Sequence, residues 1–226
     1  YYNRNHEVTF RTLDNKLQFY KDPEKYIRQD WSFSGRVSKR NGIYDYYSIT
    51  ADYRRVDVED TVIALNNDYF IKEDNMQQQI SISWSYRHDK RDYQPYPLKG
   101  YLFDLEVAKT GFGFLKNEPE ILAIYSSYRK YFKWSNKLFS SVAIRGKLSG
   151  QSETPYVNMR ALGYGSDLVR GYEYYVVNGN NYFLIKSTFL KFNLLPTRIY
   201  NLPYIRSDKF GKIPNKNTTL PTSINF

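Results

Sequence analysis

Arg170 is the side chain best placed to do chemistry in this chain. It lies in the run Leu162-Gly163-Tyr164-Gly165-Ser166-Asp167-Leu168-Val169-Arg170-Gly171-Tyr172. Gly163, Gly165 and Gly171 let the backbone turn tightly and lie close to a wall. An arginine beside them presents a planar fork of donors to a buried carboxylate. The chemistry on offer is noncovalent docking of a loop. The plainer reading is a surface loop with one solvated arginine.

Covalent chemistry finds little support. The chain has no cysteine, so it offers no thiol nucleophile. Gly163-x-Gly165-x-x-Leu168 is followed by neither a lysine-serine pair nor a helix, so it does not read as a phosphate loop. His6 and His88 are far apart in sequence and read as solvated surface groups rather than zinc ligands. Asp104 and Glu106 point to one strand face, where solvated carboxylates are a better reading than an acid pair. The cluster Arg87, Asp89, Lys90, Arg91 and Asp92 reads as a solvated turn. No catalytic residue, metal or cofactor is expected. The net charge of +10 would suit nucleic acid if it were concentrated. Lysine and arginine are instead scattered through every segment, so nucleic acid is not expected as a partner.

The elements that carry these residues are strands. Trp31, Phe33, Gly35 and Val37 alternate with Ser32, Ser34, Arg36 and Ser38. Tyr47, Ile49, Ala51 and Tyr53 alternate with Ser48, Thr50, Asp52 and Arg54, and Ile80, Ile82, Trp84 and Tyr86 with Ser81, Ser83, Ser85 and Arg87. Phe103, Leu105 and Val107 oppose Asp104 and Glu106; Leu138, Val142, Ile144 and Leu148 oppose Ser141, Arg145 and Lys147. Period two is the strand signal, and no comparable helical stripe stands out. The pattern predicts strands near 6–20, 26–40, 43–58, 62–72, 76–88, 100–113, 119–132, 137–149 and 181–195. Asn41-Gly42 is a two-residue hairpin-turn signal; 116–119 and 134–137 supply further turns. The one long excursion is 150–180.

These patterns persist for roughly 9–14 residues, against about 5–6 for an ordinary strand. A strand tilted by about 45° crosses a bilayer in some 9–11 residues. The chain also holds 24 Tyr, 14 Phe and 3 Trp, and aromatics gird the two interfaces of membrane barrels. In water, the apolar face would need a second sheet, as in a sandwich or a lipocalin-like barrel. In lipid it needs no cover, and the polar face lines a wet interior. The charged polar face favours an all-β, antiparallel transmembrane β-barrel.

The segment from Tyr86 to Gly100, with Asp89, Arg91, Pro97 and Gly100, resembles the Asp-Arg…Pro-x-x-Gly hairpin of the BamA/TamA-like outer-membrane assembly family, the bacterial surface antigens. Further strands, the glycine-rich run, Val169-Arg170-Gly171-Tyr172 and Phe189-Leu190-Lys191-Phe192 follow in that family's order. The resemblance covers about residues 76–200, and the Tyr-rich strands are similar to members from Bacteroidetes-type bacteria. It implies a barrel of about 16 strands in the bacterial outer membrane, of which this chain holds about nine, as a single barrel-domain segment without the family's periplasmic POTRA repeats. A middle-to-late piece of a longer protein is expected. The resemblance further implies that the loop folds into the lumen and that Arg170 pairs with an acid on the inner wall. Phe189 stands where the family usually has a glutamate. The candidate luminal acids are therefore Asp52, Asp104 and Glu106, with Asp167 able to pair locally.

By resemblance, the activity is insertion or translocation of outer-membrane proteins. The partners are outer-membrane lipid, nascent outer-membrane proteins and accessory lipoproteins. The alternative is a passive porin-like or secretion barrel. A barrel-shaped outer-membrane enzyme would need a serine, histidine and acid converging at one rim, and no such set can be assembled.

Overall fold

The computed structural model describes residues 1–71, 74–150, 154–165, 168–169, 171–192 and 224–225. Its elements are β1 (Tyr2–Asn5), β2 (Glu7–Leu13), β3 (Lys16–Lys21), β4 (Arg28–Asn41), β5 (Asp45–Val58), α1 (Asp60–Leu65), β6 (Met76–Asp89), β7 (Gly100–Thr110), β8 (Ile121–Lys133), β9 (Leu138–Ser149), β10 (Tyr182–Phe192) and β11 (Ile224–Asn225). Nine strands form one sheet in the order β1-β4-β5-β6-β7-β8-β9-β10-β11, and β2 and β3 form a separate hairpin. Every pairing with a resolved register is antiparallel. The all-β, antiparallel expectation is borne out. Among the described residues the sheet ends in β1 and β11 and does not close on itself.

The registers of β4, β5 and β6 place whole rows of like residues side by side. One face carries Phe33–Tyr53–Ile80, Gly35–Ala51–Ile82 and Val37–Ile49–Trp84, closed at one end by Lys39–Tyr47–Tyr86. The other carries Ser32–Arg54–Gln79, Ser34–Asp52–Ser81, Arg36–Thr50–Ser83 and Ser38–Ser48–Ser85. Directly opposed residues of antiparallel strands share a face, so the period-two readings of three strands add into continuous apolar and polar bands. The apolar band is uncovered: Val37 is 77% exposed. Tyr47 and Tyr86 stack with centroids 5.0 Å apart at its margin. On the polar face the bonds run across strands, Arg36 to Thr50 Oγ1 at 3.0 Å and Ser48 to Ser85 at 2.6 Å.

The chain divides into two compact units. In the first (Tyr1–His88, Asp104–Ser126, Arg145–Leu184) the apolar core gathers the end of β5 with residues that lie outside the long strands. Val8, Ile27, Val56, Val58, Val62, Tyr69 and Phe70 are buried together, with Phe10, Tyr20, Tyr156 and Val157 packed against them. In the second (Asp89–Phe103, Ser127–Ile144, Ile185–Phe226) Tyr96, Leu98 and Phe139 form a small buried cluster.

Three local expectations are corrected. The strand expected over 6–20 is the hairpin β2–β3, turned at Asp14 and Asn15 with φ of +49° and +59°. Asp and Asn are among the few non-glycine residues that accept this left-handed geometry. The strand expected over 62–72 is, as far as the described residue 71, the helix α1 and a following turn: Val62, Tyr69 and Phe70 are drawn into the core, and tertiary burial overrides the β-branched composition. The strand expected to reach 113 stops at Thr110, because Gly111 takes φ +83° and starts a loop that runs to Glu120. The Asn41-Gly42 hairpin is present, but its two-residue turn is corrected to a three-residue one over 42–44: Asn41 stays in the ladder opposite Asp45, and only Gly42 takes a left-handed φ, +67°.

Candidate functional site

The long excursion folds on itself before it meets anything else. Leu162 bridges Val177, with Val177 N–H donating to Leu162 O at 2.8 Å. Gly163 makes this possible. Its φ is +86°, and a Cβ there would lie 2.2 Å from Tyr175 O, a clash with backbone that cannot yield. Further along, Gly171 N–H donates to Glu173 Oε1 at 3.0 Å, and Tyr172 N–H to Val169 O at 2.9 Å. Tyr172 meets Tyr175 edge-on at 5.7 Å and stays exposed. Arg170, with Ser166 and Asp167, lies outside the described residues.

The excursion is then tied to the strands. Gln77 Nε2 donates to Asn158 Oδ1 at 3.0 Å, and Asn158 Nδ2 to Gln79 Oε1 at 3.4 Å. Gln77 and Gln79 alternate with the apolar-face positions of β6, so Asn158 grips the polar face. Tyr156 N–H and Val157 N–H donate to Asp68 O and Tyr69 O. The β2–β3 hairpin closes the arrangement. Val176 N–H donates to Asn15 O at 2.8 Å, Asn178 Nδ2 to Thr12 Oγ1 at 3.0 Å, and the Tyr156 hydroxyl bonds Thr12 at 3.1 Å.

Beneath the excursion is an ion network. Arg28 holds Asp30 with two bonds of 2.6 and 3.0 Å, Arg54 reaches the same carboxylate at 2.8 Å, and Arg28 also donates to the Tyr69 hydroxyl at 3.1 Å. Asp30 and Arg28 are buried; a buried carboxylate with two guanidinium partners satisfies the pairing that burial demands. Arg28, Asp30 and Arg160 line an open cavity of about 390 Å³ with residues of β2 and β3. Burial pushes the Arg160 guanidinium down from its usual range, and Arg28 and Arg54 push it further the same way. Burial pushes the Tyr69 phenol up, with Arg28 acting against that shift. The arrangement docks a loop against a polar wall.

The Omp85 superfamily domain model matches residues 2–183. The chain belongs to the Omp85 superfamily. No curated protein matches. The superfamily comprises outer-membrane β-barrel proteins of assembly and translocation, which agrees with the polar face and the exposed apolar face of β4, β5 and β6.

In this Omp85 chain the hairpin residues singled out by resemblance converge. Arg91 forks onto Asp89 with bonds of 2.8 and 2.7 Å, and Gln94 Nε2 adds a third contact to the same carboxylate. Asp89 is buried and Arg91 half-buried, with side-chain exposures of 5% and 13%, so the solvated-turn reading of the 87–92 cluster is corrected for Asp89 and Arg91. The physical reason is geometric, since a bidentate pair with an amide alongside satisfies both charges without water. Asp92 Oδ1 accepts the Leu98 and Lys99 N–H groups, and Pro97 is buried between Tyr96 and Leu98. Gly100, at φ +98°, leaves no room for a Cβ, which would stand 2.0 Å from Lys90 O. His88 is also not a free surface group: its Nδ1 lies 2.7 Å from Asp45 Oδ1, which accepts the Tyr86 hydroxyl as well.

The three candidate acids do not gather at one point. Asp52 sits in the polar row with Ser34 and Ser81. Asp104 accepts Arg87 Nε at 2.5 Å. Glu106 is exposed. Sequence reasoning missed Asn158, Gln77, Gln79, Arg28, Asp30 and Thr12. The available signal was the i, i+2 pairing of polar residues near the strand starts, Arg28 with Asp30 and Gln77 with Gln79.

Proposed function

We propose that this chain is one section of a bacterial outer-membrane barrel of about 16 strands that inserts or translocates other outer-membrane proteins. The superfamily match over residues 2–183, on a sheet with separate apolar and polar bands, carries the reading. The mechanism needs no cofactor. A weakly paired seam receives the edge of a nascent strand by β-augmentation, and main-chain hydrogen bonds supply the affinity. The 150–180 loop stays seated on the polar wall and keeps the barrel in a competent shape, with Val169-Arg170-Gly171-Tyr172 as its lock. Nascent outer-membrane proteins, accessory lipoproteins and lipid are the partners.

The test is depletion of the full-length protein, followed by quantification of unrelated outer-membrane barrels. Their joint loss is expected. Normal levels of all of them, with loss of a single solute or secretion route, would select a passive barrel instead.

A further inference from the structure

The loop over 111–120, which joins β7 to β8, holds two phenylalanines in the open. The rings of Phe112 and Phe114 lie 6.3 Å apart at an interplanar angle of 13°, and Phe114 is 80% exposed. The loop under them is braced. Glu118 accepts Ile80 N–H at 2.9 Å through one oxygen and Phe114 N–H at 3.2 Å through the other. Asn117 donates to the Asp74 carboxylate and to Met76 O, and Pro119 is fully buried. At Gly111 a Cβ would stand 2.1 Å from Pro119 O. A backbone fixed this firmly does not let the two rings fold away from water.

Their place in the fold says what covers them. Gly111 N–H donates to Ile80 O at 2.9 Å, and Ile80 ends the apolar row Phe33–Tyr53–Ile80. The pair therefore stands at the rim of the uncovered apolar band. Lys109 and Glu120, bonded at 2.6 Å, flank it. Aromatic rings beside a lysine whose stem can lie along apolar surface are the composition of a bilayer interface.

We propose that Phe112 and Phe114 insert into the interfacial layer of the lipid bilayer as a fixed anchor at the β7–β8 rim. The proposal rests on the bilayer-spanning reading of the apolar band, and the test separates the two. The chain contains no cysteine, so, with any cysteine elsewhere in the full-length protein replaced by serine, single nitroxide labels can be placed at Phe114→Cys, Val37→Cys and Tyr174→Cys. Val37 lies within the band, and Tyr174, 92% exposed, belongs to the long excursion. The full-length labelled protein, reconstituted in phosphatidylcholine vesicles, is read by collision with oxygen, which concentrates in lipid, and with a water-soluble nickel chelate.

The expected order of oxygen preference is Val37→Cys above Phe114→Cys, with both severalfold above Tyr174→Cys. A Phe114→Cys label that behaves like Tyr174→Cys, while Val37→Cys prefers oxygen, overturns the anchor and keeps the spanning strands. A Phe114→Cys label shielded from both reagents also overturns it, since protein and not lipid then covers the site. A nickel-accessible Val37→Cys defeats the spanning reading and the anchor with it. Phe112→Cys gives the same reading should Phe114→Cys fail to fold.

Discussion

Asn158 accepts the Gln77 side-chain amide at 3.0 Å across 81 positions of chain, and so joins the long excursion to the polar face of β6. Asn158→Ala removes this bond and the one to Gln79. The loss is expected to be about 1 kcal/mol per bond, more if Gln77 is left dry. Earlier exchange of the Tyr156 and Val157 amides with unchanged strand amides is the expected hydrogen-exchange result.

The two faces of β4 are expected to respond oppositely to charge. Val37→Arg, in the apolar band, should cost about 2–4 kcal/mol if it lies near the bilayer midplane. Ser34→Arg, directly opposite Asp52, should be tolerated. Unfolding of the reconstituted protein in denaturant checks both, and equal sensitivity would mean that both faces are buried in protein.

Arg91 holds the buried Asp89 carboxylate in a bidentate pair. Arg91→Ala removes the forked cation from the buried Asp89 carboxylate, to which Gln94 still donates, and should cost about 2–3 kcal/mol. The double change Asp89→Ala with Arg91→Ala should cost less than the sum of the single changes, which a double-mutant cycle measures directly.

Glu118 makes the stability of the 111–120 loop dependent on pH. Burial alone would raise its carboxyl. The N–H groups of Ile80, Phe112, Leu115 and Gly113 outweigh that and hold it below its ordinary 4.5. A depressed folded-state value means that the stabilisation is complete above 4.5 and is lost as pH falls below it through the folded value. Amide exchange of Ile80 and Leu115 should quicken, relative to neighbouring strand amides, as the pH is lowered through that window. Glu118→Gln should abolish the extra dependence.

Arg170 is expected to pair with an acid of the polar face. Asp104 already holds Arg87, whereas Asp52 and Glu106 have no ion pair among the described residues, so these two are the better candidates. Arg170→Ala should impair assembly activity and loop order, and Arg170→Lys should restore part of it, because an ammonium lacks the planar fork. Compensation of Arg170→Glu by Asp52→Arg or Glu106→Arg would name the partner; failure of both exchanges would discard these acids.

The sequence alone determined the strands and their two faces. Period two is a local property: Trp31 to Val37, Tyr47 to Tyr53 and Ile80 to Tyr86 each announce an apolar side without reference to the others. It also announced the Asn41-Gly42 hairpin, because a left-handed turn restricts which residues fit. What the alternation could not convey is where the remaining side chains go. Val62, Tyr69 and Phe70 look like strand residues until Val8, Ile27, Val56 and Val58 offer them a core, and then the backbone follows burial into a helix and turn. Asp89 and Arg91 look like a solvated turn until Gln94 and the tight Gly100 crossing seal them together. Asn158 has no signature at all, since its partner is 81 positions away. Pairings of this kind depend on chain closure over long separations, and only the packed structure decides which of many equally polar side chains meet.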